Sequence, residues 1–318
     1  MSSSDILHLS LSDHSLANPS KKQYVHRKFL MSIFSLFKSD RLTPEWTYSG
    51  GSIIWRMVLA ENGRIVGECR NSEEKVASFF CLDMSTGKAL WGDLCLGEPW
   101  WVGIEDVQKN VVLLHAFAKP DMPEHKGIRA IDTASGVQLW RNDDVSYWFG
   151  HEDRVLAYRD FFERRVGYEF DLQSGLLLKT HDTSLEELHA LRGRAAEEES
   201  LPEVALPEIF VEEEADAALA ALVRKETKGK ELSGRVEYIR QDDAFVFNFH
   251  AQTRDKTGYL KLENNLVVYR LQDNKRVFAE VIGRHLTRYV PDSFFVKHPF
   301  VLYIKDQRVL AALRLWKS

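Results

Sequence analysis

One turn motif occurs three times in this 318-residue chain and constrains the fold more than any other feature. Each copy has an apolar strand that ends in aspartate, a Ser/Thr-Gly turn and a second short strand. The aspartate can accept backbone N–H groups across the turn, and glycine supplies the positive φ that a tight hairpin needs. The three copies contain Asp83, Gly87 and Trp91; Asp132, Gly136 and Trp140; and Asp171, Gly175 and Lys179. We expect Trp91 and Trp140 to lie flat across the interface between successive sheets.

A second pattern places an aromatic residue at the head of each unit. Trp101-Val-Gly-Ile-Glu-Asp106 and Trp148-Phe-Gly-His-Glu-Asp153 agree at four of six positions. Three further aromatic residues, Trp55, Tyr238 and Phe295, each precede an apolar strand. Units of about 46 residues with about four short strands are typical of propeller blades. The sequence therefore predicts an all-β, five-bladed β-propeller over residues 44–318.

The two ends of this domain predict how the ring closes. The last unit, residues 294–315, offers about three strands, and the short strand at 45–48 has no earlier partner. An open array would expose strand edges, which invite aggregation. We therefore expect the N-terminal strand to complete the final blade.

An acidic insertion interrupts the repeat at residues 183–231. The segment has 13 acidic and 6 basic residues, a net charge of −7. Ser184 and Glu187 resemble a capping box, and an alanine-rich stretch around residues 217–223 favours a second helix. We interpret the segment as a helical insertion that is solvated, covers the channel or docks a basic partner.

The remaining composition indicates class and compartment. The net charge of −5 does not favour nucleic-acid binding. The sequence has no run of 18 apolar residues, so it predicts no membrane-spanning helix. Three cysteines without a CxxC pair predict reduced thiols and a cytoplasmic location, with the periplasm as the alternative. Residues 1–43 are expected to form a flexible tail, and Met31 is an alternative start.

The Asp-x-x-Ser/Thr-Gly-x-x-x-Trp motif resembles the repeat of quinoprotein-type (PQQ-like) β-propellers. The whole chain resembles an uncharacterised bacterial family of small five-bladed propellers. The resemblance implies the fold and does not imply an activity, since one scaffold serves many functions. Quinoprotein dehydrogenases of this type have vicinal cysteines, and no two cysteines are adjacent here.

No motif in the chain predicts a cofactor, a metal or a nucleophile. The histidines lack metal-ligand spacing, so His115, His125 and His151 are interpreted as surface or core residues. Phosphate-binding loops and the G-x-S-x-G motif are absent from the sequence. We therefore expect no cofactor and no metal, and no catalytic residue is assigned.

Channel-lining candidates come from the start of each unit. Cations near the leading aromatic residues could converge on the axis and hold an anion. Carboxylates recur at the ends of the first strands, where paired acids could perform acid–base chemistry or, more simply, form turns. Those carboxylates are Glu105, Asp106, Glu152, Asp153, Asp242 and Asp243. The candidate channel residues are Arg56, Glu105, Glu152, Arg240 and Lys297.

The leading functional hypothesis is a non-catalytic binding or scaffolding module. A protein partner would bind the top face or residues 183–231. The alternative is a hydrolase or lyase acting on a sugar-like or anionic small molecule in the channel, and a further one is a periplasmic quinone-binding sensor.

Overall fold

The computed structural model describes residues 41–60, 62–118, 124–198 and 204–316. Most of the predicted tail, residues 1–43, lies outside these ranges. The strands are β1 (Trp46–Ser49), β2 (Ile53–Ala60), β3 (Arg64–Asn71), β4 (Val76–Asp83), β5 (Ala89–Leu94), β6 (Val102–Gln108), β7 (Val111–Phe117), β8 (His125–Asp132), β9 (Gln138–Asn142), β10 (Ser146–His151) and β11 (Arg154–Asp160). They continue with β12 (Arg165–Asp171), β13 (Leu177–His181), β14 (Glu208–Ile209), β15 (Glu237–Gln241), β16 (Ala244–Arg254), β17 (Leu260–Arg270), β18 (Lys275–Leu286), β19 (Phe294–Lys297), β20 (Phe300–Lys305) and β21 (Val309–Arg314). The helices are α1 (Glu186–Glu198) and α2 (Ala217–Thr227), with a 3-10 turn at Leu271–Asp273.

Consecutive strands pair with one another to form antiparallel sheets. Sheet 1 is β2–β5, sheet 2 is β6–β9, sheet 3 is β10–β13 and sheet 4 is β14–β18. Sheet 5 combines β19, β20 and β21 with β1, and Trp46 of β1 lies opposite Ala312 of β21. The prediction of an all-β chain with few helices is confirmed.

The repeated turn motif has the local structure that its residues predict. Asp132 accepts hydrogen bonds from the backbone N and the Oγ of Ser135, at 2.8 and 2.6 Å, and Gly136 has φ of 71°. Burial raises the pKa of Asp132, but the Ser135 hydrogen bonds outweigh it and leave the pKa below its ordinary value. The other two copies form the same bonds.

Tryptophan side chains connect sheet 1 to sheet 2, sheet 2 to sheet 3 and sheet 5 to sheet 1. The Nε1 of Trp91, on sheet 1, donates to the carbonyl of Thr133 in the sheet 2 turn at 2.9 Å. Trp140, on sheet 2, donates to the carbonyl of Leu172 beside the sheet 3 turn at 2.8 Å. Both lie between sheets, as predicted. Trp46 makes the equivalent bond from sheet 5 to sheet 1, which the sequence motif did not reveal.

Apolar cores lie between neighbouring sheets. Separate clusters of buried side chains join sheet 5 to sheet 1, sheet 1 to sheet 2, sheet 2 to sheet 3, and sheet 4 to sheet 5. The acidic insertion lies in the chain between sheets 3 and 4. Leu188 and Leu191 of α1 pack on Leu156 of sheet 3, whereas Leu219 and Leu222 of α2 pack on the phenylalanines of sheet 4. Both helices therefore contribute to the core.

The segment between the helices pairs with strands of two sheets. Ala205 exchanges backbone hydrogen bonds of 2.9 Å with Val296 of β19, and β14 then pairs with β15. The insertion thus pairs with the edge of β19 in sheet 5 and with β15 in sheet 4. Neither helix in the described ranges is long and apolar enough to cross a lipid bilayer.

Candidate functional site

An aromatic pocket lies where sheet 1 meets sheet 2. It has a volume of about 350 Å³, and we call it the tryptophan pocket. Trp55 projects from a register shift in β2 and is 68% exposed. Trp55 also lines a second cavity of about 290 Å³, which extends towards sheets 4 and 5. The tryptophan pocket is lined by Ile53, Trp55, Arg70, Ser72, Trp100, Trp101 and Phe117.

Arg70 organises the wall of this pocket. Its guanidinium carbon lies 4.9 Å from the ring centre of Trp100 and 5.9 Å from that of Trp55. One Nη donates to the carbonyl of Trp100 at 2.9 Å, and the Nε donates to buried Glu68 at 2.5 Å. Cation–π contacts and buried charge-assisted hydrogen bonds of this kind hold side chains in one arrangement. These contacts therefore hold Arg70 and Trp100 in the wall of the pocket.

A carboxylate and two histidines meet beside the pocket, on three adjacent strands of sheet 2. Oε2 of Glu105 (β6) lies 2.9 Å from Nδ1 of His115 (β7) and 2.8 Å from Nδ1 of His125 (β8). The two imidazole rings stack with centres 3.5 Å apart and planes 8° apart. We call these three residues the histidine cluster. Phe117 connects it to the pocket, since its ring contacts both imidazoles edge-on at 5.2 Å.

Burial sets the charge states in the histidine cluster. Desolvation lowers the pKa of His115, which is 5% exposed, and this effect outweighs the opposing influence of Glu105. Burial alone would raise the pKa of Glu105. The two neighbouring imidazoles have a larger, opposite effect and leave the pKa below its ordinary value. A neutral imidazole and an ionised carboxylate are the forms that ligate metal ions.

The structure brings together two of the five predicted channel residues. The guanidinium of Arg56 donates to the carbonyls of Ile104 and Glu105, at 2.5 and 3.5 Å. Arg240 is exposed on β15, Lys297 is half-buried on β19, and Glu152 lies in the exposed turn between β10 and β11. Those three residues therefore occupy three different sheets.

The matching segments at Trp101 and Trp148 do not occupy equivalent positions. Glu105 lies at a register shift within β6. The residue at the corresponding register shift in β10 is Trp148, and not Glu152, which matches Glu105 in the sequence. Glu152 and Asp153 form the turn after β10, whereas Glu105 and Asp106 lie inside a strand. The prediction that these acids recur at the end of the first strand is therefore wrong for sheet 2, because β6 continues past them to Gln108.

Sequence reasoning missed parts of both sites. His115, His125 and His151 were interpreted as surface or core residues in preference to residues that meet in space, yet His115 and His125 meet with Glu105. Gly103 opposite His115 is one usable signal, because a Cβ there would lie 3.0 Å from the His115 ring. Arg70 and Phe117 carried no signal, since Arg70 contacts Trp100 beside the neighbouring sheet and Phe117 contacts histidines that meet only through strand pairing.

Comparison with known proteins finds one family model that matches part of the chain and distant structural likenesses. The family model described as a domain of unknown function (DUF4905) matches residues 59–140, which include Arg70 and the whole histidine cluster. No curated protein matches the chain significantly. An uncharacterized protein, lmo1340, from Listeria monocytogenes EGD-e is 11% identical, with a TM-score of 0.30 over 81% of this chain and 94% of that chain. The beta-propeller domain of the Trilobed protease from Pyrococcus furiosus is 12% identical, with a TM-score of 0.29 over 82% and 80% of the two chains.

Proposed function

We propose that this protein is a five-bladed β-propeller of the PQQ-like repeat type that binds a protein partner and is not an enzyme. Five successive antiparallel sheets with cores between neighbours support the blade count. The pairing of β1 with β21 supports closure of the ring by the two ends of the domain. The Trp46, Trp91 and Trp140 hydrogen bonds support the PQQ-like assignment, because each joins one repeat to the turn of the next.

The tryptophan pocket is the surface that we assign to the partner. The observation that carries this proposal is the exposure of Trp55 at the mouth of a pocket between two sheets. Tryptophan and arginine dominate the binding energy of protein interfaces, and exposed aromatic patches mark interaction sites. The pocket volume suits one or two apolar side chains of a partner. Helices α1 and α2 bury their apolar faces on sheets 3 and 4, so we prefer the pocket to residues 183–231.

A hydrolase or lyase in the channel receives less support. Acid–base chemistry of the glycosidase type needs two carboxyl groups facing one bond. Glu105 is engaged by two histidines, and both Glu152 and Asp242 lie in exposed hairpin turns with positive φ. The pKa of Glu105 lies below its ordinary value because two imidazoles face its carboxylate, whereas a general acid in an apolar site has a raised pKa. We therefore retain the binding function.

The test uses affinity capture from the native cell with the full chain and two variants. Trp55→Ala removes the exposed ring at the pocket, and Phe162→Ala removes a fully exposed ring from the loop between β11 and β12. We expect a protein that is retained by wild type and Phe162→Ala and is lost with Trp55→Ala. Titration of that protein should show roughly 30-fold weaker binding to Trp55→Ala, the effect of losing a hot spot of about 2 kcal/mol.

Equal retention by all three chains, or no retained protein, would contradict the proposal. Thermal unfolding provides the folding control, because removal of an exposed side chain changes stability by only about 0.5 kcal/mol. If a small molecule co-purifies with wild type and not with Trp55→Ala, the pocket binds a small-molecule ligand and the proposed protein partner is wrong.

We also propose a cytoplasmic location. All three cysteines are free, and burial raises the pKa of Cys69 to about 11 and that of Cys81 to about 12. Free thiols persist in reducing compartments. Cell fractionation tests this, and recovery from the periplasm would contradict it.

A further inference from the structure

The histidine cluster has an arrangement that hydrogen bonding within the protein leaves incomplete. Both Nδ1 atoms face the same oxygen of Glu105, at 2.9 and 2.8 Å. The contact from His125 has hydrogen-bond geometry. Nδ1 of His115 is buried and is not aligned for a hydrogen bond with any partner. An unsatisfied buried polar atom costs about 1–3 kcal/mol, so the position calls for an explanation.

The three donor atoms are close enough to share one ion. Nδ1 of His115, Nδ1 of His125 and a carboxylate oxygen of Glu105 all lie within 4.8 Å of one another. Zinc binds histidine nitrogen at about 2.0–2.1 Å and carboxylate oxygen at about 2.0–2.2 Å, so ligand atoms around it are roughly 3.3 Å apart. The two rings are stacked nearly parallel, so binding one ion requires a rotation of His125, the more exposed ring, together with a small movement of the Glu105 carboxylate.

Surrounding groups hold the three side chains in place. Arg56 binds the backbone carbonyl of Glu105, and the ring of Phe117 contacts both imidazoles. Glu68 and the His115 ring both lie next to Gly103. A Cβ placed on Gly103 would be 3.1 Å from Nε2 of His115 and 3.3 Å from Oε2 of Glu68. Metal-binding histidines typically have a carboxylate or carbonyl near the second ring nitrogen, which orients the ring.

We propose that Glu105, His115 and His125 bind a divalent first-row transition metal, with Zn²⁺ as the best fit. Two imidazoles and one carboxylate suit zinc and its neighbours, whereas Ca²⁺ and Mg²⁺ take oxygen ligands. His125 is 36% exposed, so the ion reaches the site from solvent and keeps a coordination position open to water or to a group of a bound partner. Phe117 contacts both imidazoles and also lines the tryptophan pocket, but metal binding does not depend on the proposed binding function.

The experiment uses the full chain without an affinity tag, stripped with a chelator and titrated with Zn²⁺ by calorimetry. Co²⁺ serves as a spectroscopic probe of nitrogen coordination. We expect one equivalent to bind wild type, and binding to weaken by about tenfold to a hundredfold or more in His125→Ala and Glu105→Gln. His285→Asn is the matched control, because it removes an exposed histidine outside the cluster and should bind as wild type does.

His115 is buried, so its replacement could unfold the sheet and is not the primary test. His125→Ala removes a partly exposed ring, and circular dichroism verifies that the variant is folded. Absence of one-equivalent Zn²⁺ binding in wild type would overturn the proposal. Equal affinity of wild type, folded His125→Ala and folded Glu105→Gln would overturn it as well.

Discussion

Replacing Gly87 with alanine should destabilise the protein far more than the same change at Gly63. Both glycines lie in hairpin turns with similar backbone conformations, φ of 68° and 74°. A Cβ on Gly63 has no atom within 4 Å, whereas a Cβ on Gly87 would lie 2.4 Å from Cδ2 of Trp46. The pair therefore separates the backbone contribution from the contact between sheets.

The expected magnitudes follow from these two contributions. A left-handed conformation costs an alanine about 1–2 kcal/mol, and this is the whole effect expected at Gly63. At Gly87 the alanine also displaces Trp46, which is buried and donates to the carbonyl of Met84 at 3.0 Å. Loss of that hydrogen bond costs about 1 kcal/mol, and overpacking costs about 1–3 kcal/mol more. We expect a total loss of about 3–6 kcal/mol for Gly87→Ala.

Urea unfolding followed by tryptophan fluorescence and by circular dichroism measures both variants. A double-mutant cycle with Trp46→Ala provides the decisive comparison, since coupled neighbours are not additive. In the Trp46→Ala background, Gly87→Ala should cost no more than Gly63→Ala does in wild type. If Gly87→Ala and Gly63→Ala reduce stability equally in the wild-type background, the tryptophan contact does not join sheet 5 to sheet 1 in the manner described.

Three further predictions concern other contacts. Trp140→Phe leaves the carbonyl of Leu172 without its 2.8 Å donor and should cost about 1–3 kcal/mol in urea unfolding; an unchanged midpoint would contradict this. Arg314→Gln removes an exposed ion pair with Glu45 and should cost less than about 1 kcal/mol; a larger loss, or one that 1 M salt does not reduce, would contradict this. Burial lowers the pKa of His250 from 6.5 to about 4, so between those pH values the unfolded chain binds the proton that the folded protein rejects. Stability should therefore fall by about 2 kcal/mol more in wild type than in His250→Gln between pH 7 and pH 5, and parallel profiles would refute the assignment.

Much of the fold could be predicted because its signals are local. The aspartate turns depend on residues within four positions of one another, so Asp132, Ser135 and Gly136 predict their own geometry. The helix cap predicted at Ser184 is equally local, since its hydroxyl accepts from the N of Glu186 at 3.1 Å.

The histidine cluster could not be predicted in the same way. Glu105, His115 and His125 have no sequence spacing that defines a metal site, and they meet because β6, β7 and β8 are adjacent. The register shift at Glu105 changes which side chain faces His115, and a shift by one residue reverses the faces of a strand. The shift lies at Glu105 in β6 and at Trp148 in β10. The Trp101 and Trp148 segments are therefore similar in sequence but not equivalent in position.

The sequence by itself determined the elements of this protein: antiparallel hairpins with aspartate turns, tryptophans suited to lie between sheets, and a helical acidic insertion. These follow from interactions among residues close in the chain. Only the tertiary structure decided that Arg70 organises the tryptophan pocket, that two histidines share one carboxylate, and that the insertion pairs with the strand edges of sheets 4 and 5. Those outcomes depend on strand register and on packing between sheets, where residues far apart in sequence come within a few ångströms.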